Sequence, residues 1–271
     1  MSSQIAKKLY IAVRHGIIKT KAQFWKFFAD PESINGIDIG ISEPELPFSL
    51  ICCFDDNFPR IPDTVKLTDK PFLFAFHGDI TLLHNAHKNI AVIGTINQSE
   101  EIARREKRII EKLASNGCNI VSGLAWGADT VAHTEALANG AKTIAFLPSC
   151  LDNIYPTANI GLANRIINSG GLIITEYVAK PNSKQEQIKR FIERDRLQAM
   201  FSKAVILIAS HRKGEGDSGS RHAMQKAKDY GIKRFVMFDE NTDTNAPQFG
   251  LNSDLLADGA EVLTLNKLCL L

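Results

Sequence analysis

From Asn89 onward the chain alternates short apolar runs with helical patterns. The runs are NIAVIG, CNIVSG, KTIAFLP, GLIITEY, KAVILIA, RFVMFD and EVLTL, and most of them are separated by segments whose apolar residues recur every three or four positions. The runs do not alternate apolar with polar residues, which marks strands covered on both faces. Strands that take turns with helices in this way build a parallel sheet with helices on both sides. The pattern predicts an α/β fold, a doubly wound, mainly parallel, Rossmann-like sheet from Asn89 to about Leu265, with the loops after Ile93, Val121 and Ala209 along one edge. Helix signals agree. Ser99 can cap a helix with Glu100 and Glu101 in its first turn and Ile102, Ile109, Ile110 and Leu113 on one stripe, and Gly117 follows its end. Asp129 can cap the next, closed by Gly140. Ser218 or Ser220 can cap a later one, closed by Gly231, and Pro156 can start a helix over 157–168.

Residues 1–88 are less regular. Two helical patterns, about 4–13 and 21–29, precede the strand-like SLICCF, a stretch punctuated by proline and aspartate, and a second strand-like run, FLFAFHG. The expected organisation is a small, partly helical N-terminal region, 1–54, followed by the main domain, 55–271, with 55–88 as its lead-in. A chain of 271 residues with 44% apolar and 23% charged residues has ordinary globular composition. A net charge of +2 is too mild to announce nucleic acid, so a polyanion site has to come from local clustering. Five cysteines without a CxxC pair indicate a reducing cytoplasm. No apolar run approaches the ~20 residues of a membrane span, so no membrane association is expected.

Chemistry is expected at the carboxyl ends of the strands, where α/β sheets bind ligands. The loop after NIAVIG, Gly94-Thr95-Ile96-Asn97-Gln98, has one glycine and not GxGxxG, which argues against a dinucleotide and leaves no cofactor expected. IVSGLAWGADTVAH carries Ser122 and Gly123 into an alanine-rich helix. SHRKGEGDSGSRHA is the best phosphate cradle, with three glycines, the cations Arg212, Lys213 and Arg221, and Ser218-Gly219-Ser220 opening a helix. Asp129 and His133 share a helical face but lack a third ligand, so no metal site is expected and His133 reads as packing or a hydrogen bond. Arg190, Arg194 and Arg196 alternate with Glu193 and Asp195, which suits a solvated, self-paired face as well as a ligand-facing one. Trp126 can stack on a base or close its own loop.

Taken together, IVSGLAWGADTVAH, IAFLPSCLDNIYPTAN, LIITEY, FIERDRLQAMFSKAVILI and SGSRHAMQKAKDYG resemble, in order and spacing, the DNA-processing protein A family, also called Smf. The similarity extends upstream through FPRIPDTVKLTDKPFLFAFHGDITLL. The resemblance implies a non-enzymatic protein that binds single-stranded DNA in a basic pocket on the Rossmann-like domain. It also implies a homodimer that hands the strand to a RecA-type recombinase in natural transformation. The positions matching the family's contacts are Gly94, Thr95, Ser122, Gly123, Tyr155, Asn159, Arg194, Arg196 and the turn Ser218, Gly219, Ser220, Arg221. Two departures stand out. Ile96 occupies a position that is usually arginine, and Ile160 one that is usually lysine or arginine; Arg212, Lys213 and Arg221 are candidates to compensate.

A second class of function fits the same loops, a Rossmann-like sensor of a small nucleotide or nucleotide-derived ligand. A continuous basic track favours DNA, and an enclosed concave site with one polar anchor cluster favours the small ligand. Without a nucleophile–base pair, metal set or paired carboxylates at workable spacing, no turnover and no catalytic residue are expected. Gly219→Asp is expected to weaken binding while leaving folding barely changed.

Overall fold

The computed structural model describes residues 3–37, 45–216 and 219–271, so Ser218 lies outside the described residues. Three helices open the chain, α1 Gln4–Arg14, α2 Lys21–Phe27 and α3 Pro31–Asn35. Each is capped by a side chain, Ser3, Thr20 or Asp30, that accepts from a backbone N–H two or three residues on. At five residues α3 is too short to show a period, and it went unread in the sequence.

The remaining elements are β1 Ser49–Cys52, β2 Leu73–Gly78, β3 Asn89–Ile93, α4 Glu100–Ser115, β4 Asn119–Ser122, α5 Ala128–Ala138, β5 Thr143–Phe146, α6 Ile160–Asn168, β6 Leu172–Thr175, α7 Lys184–Met200, β7 Ala204–Leu207, α8 Ser220–Tyr230, β8 Lys233–Val236, α9 Glu240–Asp243, α10 Gly250–Ala257, β9 Glu261–Val262 and α11 Leu265–Leu270. The strands form one sheet in the order β1-β2-β6-β5-β4-β3-β7-β8-β9. From β6 to β9 every pair is parallel, while β1 and β2 run antiparallel at one end.

Alternation within each strand sends side chains to two cores. Ala91, Ile93, Val121, Phe146, Val205 and Leu207 pack under Leu197, Met200, Met224 and Ala227 of α7 and α8. Ile90, Val92, Ile120 and Ile206 pack on the other face, under Ile102, Ile109, Ile110 and Leu113 of α4 and Ala132 and Ala136 of α5. The N-terminal helices join the sheet's own interior. Leu9, Phe24 and Ile34 share a core with Leu50 of β1, Leu73 of β2 and Ile166 of α6, and Phe24 stacks on Phe72 with ring centroids 4.0 Å apart.

Several expected helix starts shift. Ser99 caps α4 as expected, its hydroxyl accepting from Ile102 N–H. Asp129 does not cap α5; Gly127 holds that position at φ +68°, and the Asp129 carboxylate accepts instead from Ala125 N–H at 3.1 Å. The cap of α8 is Gly219, so Ser220 becomes the first helical residue and donates to Gly94 O. The expected helix over 157–168 begins as a tight turn, Thr157–Asn159, before α6. At the far end of the chain, Asn116 donates to Leu268 O, and Lys203 to the carbonyls of Leu270 and Leu271. The last helix is thereby fastened at the amino ends of β4 and β7. No helix among the described residues is long and apolar enough to cross a membrane.

Candidate nucleic-acid interface

Strands β3 and β7 are neighbours, yet the helices that follow them, α4 and α8, lie on opposite faces of the sheet. The chain therefore parts at the carboxyl end of this pair and leaves a crevice, the position where open α/β sheets accept ligands. A cleft of about 410 Å³ occupies it. Its walls come from Gly94 and Ile96 after β3, Gly123, Ala125 and Trp126 after β4, Tyr155 and Pro156 after β5, one face of α7, and Gly219 to Ala223 at the start of α8. The three glycine loops are thus gathered on one edge of the sheet, as the sequence pattern implied.

Two glycines earn their place here by contact. A Cβ on Gly123 would lie 1.1 Å from Nη1 of Arg194, so only glycine lets that guanidinium pass beneath the loop. Gly127 brings α5 against the first loop, since a Cβ there would lie 2.4 Å from Thr95 O, and Ala128 N–H donates to that same carbonyl at 3.1 Å. Between them Leu124 is buried at φ +62°, a left-handed conformation that costs a leucine of order 1–2 kcal/mol. Asn159 braces it by donating from Nδ2 to Leu124 O and to Thr130 Oγ1, both at 2.9 Å. The turn after β4 is therefore held largely by residues distant in sequence, Arg194, Asn159 and Thr95.

The residues singled out in the sequence separate into groups. Gly94, Gly123, Tyr155, Arg194, Gly219, Ser220 and Arg221 line the cleft. Thr95, Ser122 and Asn159 are buried behind it, and the Ser122 hydroxyl donates to Val92 O at 2.7 Å within the sheet. Lys213 is exposed in the loop after β7, outside the cleft wall, and Arg212 pairs with Asp254 at 3.0 Å. Arg196 faces away. It is buried with Glu176 at 2.6 Å and donates to the carbonyls of Asp69 and Glu193. Arg190 is likewise buried, paired with Glu186 and lying over the Tyr177 ring at 4.6 Å. Neither the solvated nor the ligand-facing reading describes these two arginines. His133 is buried and hydrogen-bonded to Thr143 Oγ1 at 2.7 Å, as a packed histidine would be.

The floor of the cleft is more acidic than the sequence suggested. Arg194 lies 3.8 Å from Asp129 Oδ2, and its Nε lies 3.3 Å from Asp195 Oδ1. Burial pushes the Asp195 carboxyl up to about 7 against the pull of Arg194, with Asp129 adding to the rise. The walls are apolar and aromatic. Trp126 and Tyr155 are 6.5 Å apart, Phe191 meets Tyr155 edge-on at 6.0 Å, and Ile96, Trp126, Tyr155, Ile188 and Ile192 are all exposed at the mouth. Sequence reading passed over Ile188, Phe191, Ile192 and Gln198 as cleft residues. Their spacing with Asp195 along α7 is that of one helical face and was the available signal.

A model of the DNA recombination-mediator protein A family matches residues 49–269. Over 174 residues the chain is 32% identical to Protein Smf of Borreliella burgdorferi, covering 63% of this chain and 52% of that protein. Over 193 residues it is 32% identical to the DNA processing protein DprA of Streptococcus pneumoniae, covering 71% of this chain and 65% of that protein. The X-ray structure of the S. pneumoniae protein superposes with a TM-score of 0.74 and 24% identity, over 100% of this chain and 98% of that one. The structure of DNA processing protein A from Helicobacter pylori, described for its single-stranded DNA binding mode, superposes with a TM-score of 0.66 and 29% identity, over 82% of this chain and 94% of that one. The match spans about half to two thirds of the length of the two curated relatives.

Proposed function

The chain belongs to the DNA recombination-mediator protein A family, and from that premise we propose that it binds single-stranded DNA at the switch-point cleft and delivers the strand to a RecA-type recombinase. It acts as a cytoplasmic homodimer and without turning over DNA or nucleotide. The observation that supports this most directly is the cleft itself, which joins a glycine-capped helix N-terminus and Arg221 to an exposed aromatic mouth. Helix N-termini attract phosphates, while Trp126 and Tyr155 offer ring faces on which any base can stack. Incoming strands have no fixed sequence, and this combination of charge and stacking does not require one. Lys213, on the same loop as Gly219, extends the positive potential outward.

The family resemblance places cations at positions that here carry Ile96 and Ile160, both exposed. Phosphate attraction in this chain therefore rests on fewer charges, and its affinity should depend less steeply on salt. A nucleotide-sized ligand is the second reading, favoured by the apolar walls and by an Arg194 already flanked by two carboxylates.

Fluorescence anisotropy with labelled oligothymidylate over a salt series tests the first reading. Arg221→Ala should weaken binding and lower the salt slope by about one unit, with the melting temperature measured beside it as the control for folding. If wild type binds no oligonucleotide at low salt while a nucleotide raises its melting temperature, the second reading replaces the first.

A further inference from the structure

The floor of the cleft contains buried polar atoms that make no hydrogen bond among the described residues. Gln198 is 1% exposed and lines the cleft, yet its Oε1 has no hydrogen-bond partner. Arg194 is 5% exposed, and its Nε, although 3.3 Å from Asp195 Oδ1, is not aimed at it and makes no hydrogen bond. The Asp195 carboxylate lies beside Arg194, on the helix face that also carries Gln198. A buried acceptor left unpaired costs of order 1–3 kcal/mol, so such a set persists where something outside the chain completes it.

Gln198 Oε1 and the Asp195 carboxylate supply adjacent acceptors and Arg194 a donor, beside the Asp129 carboxylate and below Ile96, Trp126 and Tyr155 at the mouth. Flat walls with a polar end suit a heteroaromatic ring, and a volume of about 410 Å³ admits a base with its sugar. The Watson–Crick edges of the bases can then be compared one at a time. Adenine offers one donor and one acceptor, cytosine one donor and two acceptors, and thymine one donor between two acceptors. Guanine alone offers two adjacent donors, N1–H and the N2 amino group, beside one acceptor, O6.

Resting on the DNA-binding reading above, we propose that the cleft is a guanine subsite in which Asp195 and Gln198 accept from N1–H and the N2 amino group and Arg194 donates to O6. Backbone capture of the strand stays indifferent to sequence, and one position in the bound segment is read. The same edge chemistry is carried by a guanine within a strand and by a free guanine nucleotide, and the experiment separates the two.

Oligothymidylates carrying a single central guanine, hypoxanthine, adenine or cytosine would be titrated against the wild-type protein by anisotropy. One guanine should tighten binding about tenfold over thymine. Hypoxanthine, which lacks only the N2 amino group, should lose most of that gain, and Asp195→Asn should abolish it. In parallel, GMP and IMP would be compared for their effect on the melting temperature. If wild type binds oligothymidylate and all five strands bind alike, the guanine subsite is overturned and the DNA reading stands. If no strand binds but GMP stabilises the protein and IMP does not, the subsite stands and the DNA reading fails. Equal effects of GMP and IMP together with equal binding of all strands overturn the subsite by both routes.

Discussion

Arg194 reaches the cleft only because Gly123 has no side chain, and this single contact makes a sharp prediction. Gly123→Ala would place a Cβ 1.1 Å from the guanidinium, which has to move away from Asp129 and Asp195. The expected cost is about 1–3 kcal/mol, read as a lower melting temperature together with weaker ligand binding. A variant that melts like wild type would show that the guanidinium has room elsewhere. Gly219 behaves differently from expectation. At φ +91° it is strained for any L side chain, so Gly219→Asp costs folding stability as well as binding, and Arg221→Ala is the cleaner probe. Asp195 also sets a dependence on pH. Its carboxyl titrates at about 7 when folded, against about 3.9 in an unfolded chain. Between those values the folded state holds a proton that the unfolded state has released, so this group's contribution to stability falls as pH rises from about 4 to 7. The groups around it are Arg194, which opposes the shift, Asp129, which adds to it, and Arg221 and His222 across the cleft. Asp195→Asn should therefore gain stability relative to wild type as pH climbs through that window, measured by melting at pH 5 and pH 8. His133 runs the other way. Buried and pushed down to about 3, it withdraws stability as pH falls below about 6.5, equally in both proteins.

Helix α7 shows why its charges were hard to place from the sequence. A segment reading IKRFIERDRLQAMF looks solvated because cations and anions alternate along it, and local pattern carries no sign of what lies above. In the fold, Arg196 donates to Glu193 O nearby and to Asp69 and Glu176 from other segments, and the buried charge is neutralised only by the Glu176 pairing, which local pattern does not show. Arg196→Ala should cost up to about 3–5 kcal/mol by leaving the buried Glu176 with Lys21, 4.0 Å away, as its remaining cation, while the protein that remains folded binds oligothymidylate as before, because the side chain faces away from the cleft. Loss of binding at full stability would place Arg196 in the site after all. The loop after β3 permits the opposite experiment. Ile96 lines the cleft and is 44% exposed, so an arginine there can reach solvent and phosphate together. Ile96→Arg should raise affinity for oligothymidylate and steepen its salt slope by about one unit.

The parallel half of the sheet was legible because strands covered on both faces are apolar throughout, and each of the seven runs from NIAVIG onward contains a strand. The union of that sheet with the opening helices was not legible. It depends on β2 pairing backwards onto β6 with β1 at its outer edge, and on Phe24 stacking against Phe72, contacts between segments with no shared local signature. Because Leu9, Phe24 and Ile34 lie in the same core as Leu73 and Ile166, the chain should unfold in one transition. Phe24→Ala should lower its midpoint by the equivalent of about 3–5 kcal/mol without splitting it, followed by calorimetry; two separated transitions would show that the helices fold apart from the sheet. The fastening of the last helix at the amino ends of β4 and β7 bears on how binding can be observed. Cys269 on that helix is exposed, Cys52, Cys118 and Cys150 are buried, Cys53 is half-buried, and burial pushes the thiols of Cys52 and Cys53 up to about 12. Only a thiolate attacks a maleimide, so brief treatment near neutral pH should attach one dye, at Cys269. That dye would sit at the amino ends of the strands, with the length of the sheet between it and the cleft at their carboxyl ends, leaving the native protein ready for tethering or energy-transfer measurements with its mouth unobstructed.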